Sequence, residues 1–423
     1  MKGVPETISK LDKWLDTMWS KEGYTGPVSH WWESSFLYTG VQIDWRYEGI
    51  ITGYLDIYRK TGEEQWLEKA VRAGEDVVNN QLPTKKFLNS SFQAGPIEGG
   101  TPHEAAVDVA LLELSDVLKE ENSKSWRRYF KCAEDNIREY LLTKLWNGRG
   151  FIEQPWDATL VPNKNATVIE ALLLYSEMAV VDFSKYVIPA AEVILNSQII
   201  EGARTGGTIH YGTGRHQLAI GIYTARCVSG LLRLFNHTND EKYLDTVKKA
   251  VVFLSSLIAD KGTHFGYYKD ESKIRCPTWI SPSADILRAL ILARKEKIPV
   301  KDKDIESLIQ SIAGGQEKSG GIRTANGFAG RGGTGEYEGL PEFRDVLPVV
   351  GWNDKVLRAF SLLLEKDQEL PDLNIEKTEV DCVWKGRECR FIEDEKNIIL
   401  QEKNGEQLYN LRKGQSFPKV CRL

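Results

Sequence analysis

The sequence predicts an all-α protein: a ring of six helical hairpins carrying a small β appendage at its C-terminal end. Three observations predict it. The stretch 202–258 reads as one helical hairpin, because LAIGIYTARCVSGLLRLF and KYLDTVKKAVVFLSSLI repeat apolar residues at steps of three and four around the polar break NHTNDE. That break recurs. Thr61-Gly62-Glu63-Glu64-Gln65-Trp66-Leu67-Glu68 matches Thr238-Asn239-Asp240-Glu241-Lys242-Tyr243-Leu244-Asp245 type for type, 177 residues away, which is three units of 59. Finally, glycine precedes an apolar residue after each second helix, in the pairs Gly148 and Phe151, Gly206 and Ile209, Gly262 and Phe265, and Gly320 and Ile322. Glycine there suits a left-handed helix C-cap, with extended chain after it.

Taken in order, 8–20 is an amphipathic helix without a partner of its own. Hairpins follow at about 46–60 and 64–80, 103–118 and 124–145, 166–180 and 183–198, then the unit 202–258, then 283–295 and 302–314. A sixth hairpin shows one helix, 352–365, and the N-terminal helix supplies its partner and closes the ring. Each joint lasts about 12 to 30 residues, a length that in a compact domain points to function. The segment from about 371 changes character: TEVDCVW, RECRFIE and NIILQE alternate like strands, with hairpin turns at Lys385-Gly386 and Asn404-Gly405. The expected division is therefore 1–370 for the ring and 371–423 for a β-rich segment.

Composition bounds the function. With 41% hydrophobic and 27% charged residues in 423, the chain is that of a globular protein too long for one ordinary core. No apolar run reaches the length of a membrane span, and no signal core precedes the first helix, so a cytoplasmic protein is expected. A net charge of −5 with interspersed signs leaves no footprint for nucleic acid. Cys382, Cys389 and Cys421 lie close enough in sequence for one disulfide to be conceivable. No spacing of His, Cys and Asp makes a metal site and no cofactor motif is present; the glycine-rich 327–339 lacks the Gly-Lys-Ser/Thr ending of a phosphate loop and reads as a mobile loop over a cleft.

Six hairpins of about 55–60 residues with glycine-aromatic loops between them resemble the (α/α)6 toroids: the six-hairpin glycosidases, the toroidal polysaccharide lyases and uronyl epimerases, and the sugar 2-epimerases. The likeness covers residues 1 to about 370 as architecture. It implies a carbohydrate-active enzyme whose cleft is formed by inner-helix N-termini and the loops before them.

Glycoside hydrolysis needs two carboxyls, about 5–5.5 Å apart for retention or about 6.5–9.5 Å for inversion. Acids ahead of the expected inner helices are Asp44, Glu98, Glu104, Glu153, Asp157 and Asp354. Asp44 and Asp157 stand out because Trp45 and Trp156 adjoin them, and an apolar neighbour raises a carboxyl toward acid-catalyst range. Asp is equally a good helix N-cap. A second set, His210, Tyr211 and Arg215 with His216 and Asn165, has the residue types that uronic-acid elimination or epimerisation requires. Trp32, Trp45, Trp156, Trp279 and Trp352, with Glu104, are candidates for holding sugar rings, since tryptophan pairs a flat apolar face with one N–H donor; as readily, they wedge between hairpins. The leading expectation is a glycoside hydrolase acting on oligosaccharides. A lyase or epimerase is the alternative, and a sugar- or protein-binding toroid the non-enzymatic one.

Overall fold

The computed structural model describes residues 3–29, 36–38, 40–90, 100–209, 217–415 and 420–422. Its helices are α1 (Val4–Met18), α2 (Trp45–Thr61), α3 (Glu64–Asn79), α4 (Ala105–Glu120), α5 (Trp126–Asn136, running on as a π-helix over Ile137–Leu145), α6 (Pro162–Ala179) and α7 (Ser184–Ser197). They continue with α8 (Gly221–Thr238), α9 (Glu241–Ser256), α10 (Ser283–Lys295), α11 (Asp302–Gly314), the single turn α12 (Phe343–Val346) and α13 (Val350–Ser361). Boundaries follow local chemistry. Asp44 caps α2 by accepting from the Arg46 N–H at 3.1 Å, and Gly62 ends it in the left-handed conformation.

Neighbour contacts run α2 to α4, α6, α8, α10 and α13, and from α13 back to α2. Outside this closed series α3, α5, α7, α9 and α11 each pack on the helix before them, and α1 packs on α13 as the sixth partner. The inner helices approach closely where they carry glycine: a Cβ on Gly49 would fall 2.2 Å from Asp354 Oδ2.

One device recurs at all six joints. The end of each outer helix pairs with chain a few residues on, as Trp19 with Tyr24, Gln81 with Phe87, Trp146 with Phe151, Gln198 with Thr208, Ile258 with Thr263 and Gln316 with Ile322. The second members are spaced 55 to 64 residues apart, which is the sequence period seen directly. A residue of positive φ makes each turn: Gly23, Lys85, Gly148, Gly206, Gly262 and Gly320. The joint glycines are therefore left-handed as expected, but they belong to these β-clips, not to helix C-caps. A polar side chain at the start of the next inner helix then holds each clip. Tyr47 Oη, Glu104 Oε1, Asn165 Oδ1, Thr224 Oγ1 and Asn353 Oδ1 accept the N–H of Tyr24, Phe87, Phe151, Thr208 and Ile322 at 2.8 to 3.1 Å. Ser283 does so through Thr263 Oγ1 at 2.8 Å.

At the C-terminal end Thr378–Trp384, Arg387–Glu393, Asn397–Glu402 and Gln407–Arg412 form a four-stranded antiparallel sheet. Phe343 meets Trp384, Phe391 and Tyr409 beneath it, and buried Glu393 ties it to the helices by accepting from Trp14 Nε1 (2.8 Å) and Ser319 Oγ (2.7 Å). Val420–Arg422 leaves this sheet and pairs with Phe36–Tyr38. Cys382 and Cys389 face each other across the first two strands as free thiols.

Candidate active site

The N-termini of the inner helices lie together at one end of the ring. Trp45 Nε1 at the start of α2 donates to Gly351 O at the start of α13 (3.3 Å), and the Trp45 ring stacks on His103 ahead of α4 (5.0 Å). Trp352 of α13 meets Trp279 ahead of α10 at 6.0 Å.

Carboxyls belonging to three inner helices lie near one another here. Asp354, wholly buried in α13, binds Lys355 Nζ at 2.6 Å, and Lys355 also donates to Trp45 O at 3.1 Å. Burial pushes the Asp354 carboxyl up to about 7 against the pull of Lys355, and the charges of Asp285 and Asp44 push the same way. Asp285, on the first turn of α10, is half-buried. Burial raises its carboxyl too, while Lys355, Arg226 and Arg358 pull it down. An acid at a mouth, poised by burial against nearby cations, is what proton transfer to or from a bound molecule requires.

Below these groups the ring axis is filled by ion pairs. Glu48 Oε1 meets Arg226 Nη2 at 2.6 Å and Arg358 Nη1 at 2.8 Å. Glu170 meets Arg226, Arg288 and Arg358 at 3.5, 3.5 and 3.7 Å. Burial would raise the Glu48 carboxyl, but Arg226 and Arg358 outweigh it and hold the group below its usual range.

The sequence candidates divide sharply. Asp44 is at this end, but as the N-cap of α2, fully buried and paired with Arg46 Nε at 2.8 Å. Asp157 lies on the exposed strand Asp157–Leu160 of a two-stranded hairpin whose other strand, Ile152–Gln154, is largely buried. Trp156 beside it is 75% exposed and shields nothing. Hydrogen bonds from the Thr159 side chain and N–H hold the Asp157 carboxyl below its usual range, opposite to the expected rise. Glu104 and Asn165 are clip holders: Asn165 Nδ2 also donates to Phe151 O and Val161 O, both at 3.0 Å, so its polar atoms are consumed inside the fold. Trp279 is core, packed on Phe265, Phe328 and Trp352. Trp45 and Trp352 remain half-buried at the mouth. The 327–339 stretch is pinned rather than free, with Tyr268 Oη donating to Gly332 O and Arg275 N–H to Gly333 O. Trp32, Glu98, His210, Tyr211, Arg215 and His216 lie outside the described residues. Asp285 and Lys355 escaped sequence reading, since a first-turn acid and a mid-helix lysine carry no local signal.

Glu104 yields a stability prediction. Burial pushes its carboxyl up to about 7, against hydrogen bonds from Ser90, Phe87 N–H and Asn136. The native state therefore binds a proton that the unfolded chain releases near pH 4.5, and this contribution falls away as pH rises from there through about 7. Glu104→Gln should flatten the decline of urea-unfolding stability over that window. An unchanged slope would refute the assignment.

No helix among the described residues is long and apolar enough to cross a membrane, and none of their His, Cys, Asp and Glu side chains group in threes to hold a metal. No family model matches the sequence, and no curated protein does. Solved structures do match. A cellobiose 2-epimerase from Bacillus thermoamylovorans superposes with a TM-score of 0.61 at 12% identity, over 85% of this chain and 98% of that one. A D-mannose isomerase gives 0.60 at 13%, over 85% and 97%, and an unsaturated glucuronyl hydrolase specific for heparin 0.59 at 12%, over 85% and 96%. A type II terpene cyclase from Scytonema follows at 0.50, 13% identity, over 85% and 96%. At these identities the likeness is one of fold, and one fold hosts several chemistries. The sugar-processing structures among these neighbours are six-hairpin, (α/α)6-toroid enzymes.

Proposed function

We propose that this chain is an (α/α)6-toroid carbohydrate-active enzyme, a glycoside hydrolase acting on oligosaccharides at the inner-helix N-termini. One observation supports the reading above others: Asp285 and buried Asp354, from two inner helices, both feel the Lys355 ammonium, and the charges of Asp285 and Asp44 act on Asp354, beside half-buried Trp45 and Trp352. In this reading a sugar ring lies against the tryptophan faces. Asp285 gives its proton to the glycosidic oxygen as the C–O bond breaks, and takes a proton from the water that completes hydrolysis. Asp354 and Lys355 are positioning residues that set the field at Asp285, and Asp44, held by Arg46, adds negative charge beside a developing cation. Nucleic acid and membrane have no part in the proposal, nor do a cofactor or metal, and the cytoplasm is its setting.

The test is a screen of neutral and uronic-acid oligosaccharides, followed in parallel by new reducing ends, by the ultraviolet absorbance of an unsaturated product, and by deuterium uptake into the sugar. Reducing ends alone are the expected result. Absorbance appearing together with new reducing ends would replace hydrolysis by elimination, and deuterium uptake without cleavage would replace it by epimerisation; either shifts attention to His210, Tyr211 and Arg215. Silence in all three would leave a binding toroid. As an internal control, Asp157→Asn should leave turnover and stability within about twofold and about 0.5 kcal/mol, as for an exposed surface position. A collapse of activity in that variant would restore Asp157 as a catalytic candidate.

A further inference from the structure

The opposite end of the ring carries a second concavity. A cavity of about 610 Å³ opens between the C-terminal halves of the inner helices, within the size range of small-molecule sites. Thr52, Ser229 and Asn236 line its wall and, having donated to Glu48 O, Glu170 Oε2 and Glu296 Oε1, keep oxygen acceptors for a ligand's hydroxyls.

Its lining charges balance in number, five carboxylates against five Lys and Arg side chains, but they are paired unevenly. The carboxylates at the rim are already engaged: Asp56 and Glu113 face Arg59 at 3.4 and 3.5 Å, Glu177 faces Arg233 at 3.3 Å, and Glu296 accepts from Asn236 Nδ2 at 3.0 Å. Two lining cations are not. Lys295 meets no carboxylate among the described residues, and Arg288 has only Glu170 Oε1 at 3.5 Å, longer than a strong charge-assisted bond. Glu170 is shared with Arg226 and Arg358, so Arg288 competes with two other guanidiniums for its one close carboxylate. Burial, then the neighbouring Arg358, pushes the Arg288 guanidinium down to about 10, so the fold keeps this cation against its own electrostatics. Arg288 and Lys295 are seven residues apart on α10, two turns along one face.

We propose that this cavity is a second ligand site, taking a small hydroxylated oxyanion, a sugar phosphate or uronic acid, whose anionic group pairs with Arg288 and Lys295. The hydroxyls meet Thr52, Ser229 and Asn236. The site is independent of the catalytic reading above.

Calorimetric titration of the full chain with glucose 6-phosphate, glucuronate and neutral glucose tests it. Saturable binding of at least one oxyanion, at least tenfold tighter than glucose, is expected, and the tighter of the two tells phosphate from carboxylate. Arg288→Met should weaken that binding about tenfold or more and Lys295→Gln about threefold, while Asp285→Asn leaves it unchanged. Failure of both oxyanions to bind, glucose binding equally well, or affinity unchanged in both cation variants overturns the proposal. So does loss in Asp285→Asn with retention in Arg288→Met, which puts the ligand at the other mouth. Because Arg288→Met removes a charge its surroundings disfavour, its Tm should not fall below that of the parent. Should that variant fail to fold, Lys295→Gln at its exposed position decides alone.

Discussion

Asp285→Asn is expected to lower turnover by about 10²- to 10⁴-fold, the usual contribution of a positioned general acid–base group. The amide keeps the size and the hydrogen-bonding face of the carboxyl but cannot exchange a proton at any useful pH. Stability should change by less than about 1 kcal/mol, because burial already opposes the charged form of this group and no cation among the described residues lies within ion-pair distance of it. The measurement is kcat and KM on whichever oligosaccharide the screen yields, beside a urea titration of each protein. A fall in kcat with KM little altered marks a group acting in the transition state. Activity above half that of the parent would remove Asp285 from the mechanism. Asp354→Asn offers a contrast within the same cluster: it acts through Lys355 and the surrounding field, so its signature is a displaced pH profile more than a silent enzyme.

Glu48→Gln should cost about 3–5 kcal/mol, the expected penalty for breaking a buried pair from one side. Arg226 and Arg358 both bond Glu48 Oε1, and both are buried, so the neutral amide leaves two guanidiniums with only the longer contacts to Glu170, at 3.5 and 3.7 Å, as counter-charge. Urea unfolding at neutral pH reads the loss directly, and a change under about 1 kcal/mol would show that the axis is solvated or rearranges. The sign of the pH dependence offers a second check. Glu48 is held below its unfolded value, so its contribution is present above that value and fades as pH falls through the folded one. This is opposite to Glu104, whose raised carboxyl loses its contribution as pH rises. Arg288→Met belongs to the same network yet should not destabilise, since Glu170 retains Arg226 and Arg358.

Much of the architecture was legible before folding. The expected 283–295 and 302–314 are α10 and α11 to the residue, and TEVDCVW, RECRFIE and NIILQE are strands over their full lengths. The N-terminal helix packs on α13 as ring closure demanded. The return of Val420–Arg422 to Phe36–Tyr38 was missed, because a pairing at such separation leaves no local pattern, whereas Gln407–Arg412 is the local partner implied by the hairpin turn at Asn404-Gly405. Glu104 and Asn165 were misread for a related reason. A polar residue ahead of a helix looks the same whether it faces a ligand or holds a backbone clip from the preceding joint.

The sequence by itself therefore determined which stretches are helical, where they turn, which faces are apolar and the period at which the unit repeats. Those properties are written at separations of three, four and about 59 residues, and a helix reports its buried face through periodicity alone. Only the tertiary structure decided which charges meet. Glu48 and Arg226 stand 178 residues apart, and each reads as an ordinary polar position in its own helix. Their pairing, the charges of Asp285 and Asp44 acting on Asp354 beside Lys355, and the loosely paired cation at Arg288 exist because the ring closes and sets inner helices side by side. Charge interactions depend on distance through space and on burial, and neither quantity has a signature along the chain.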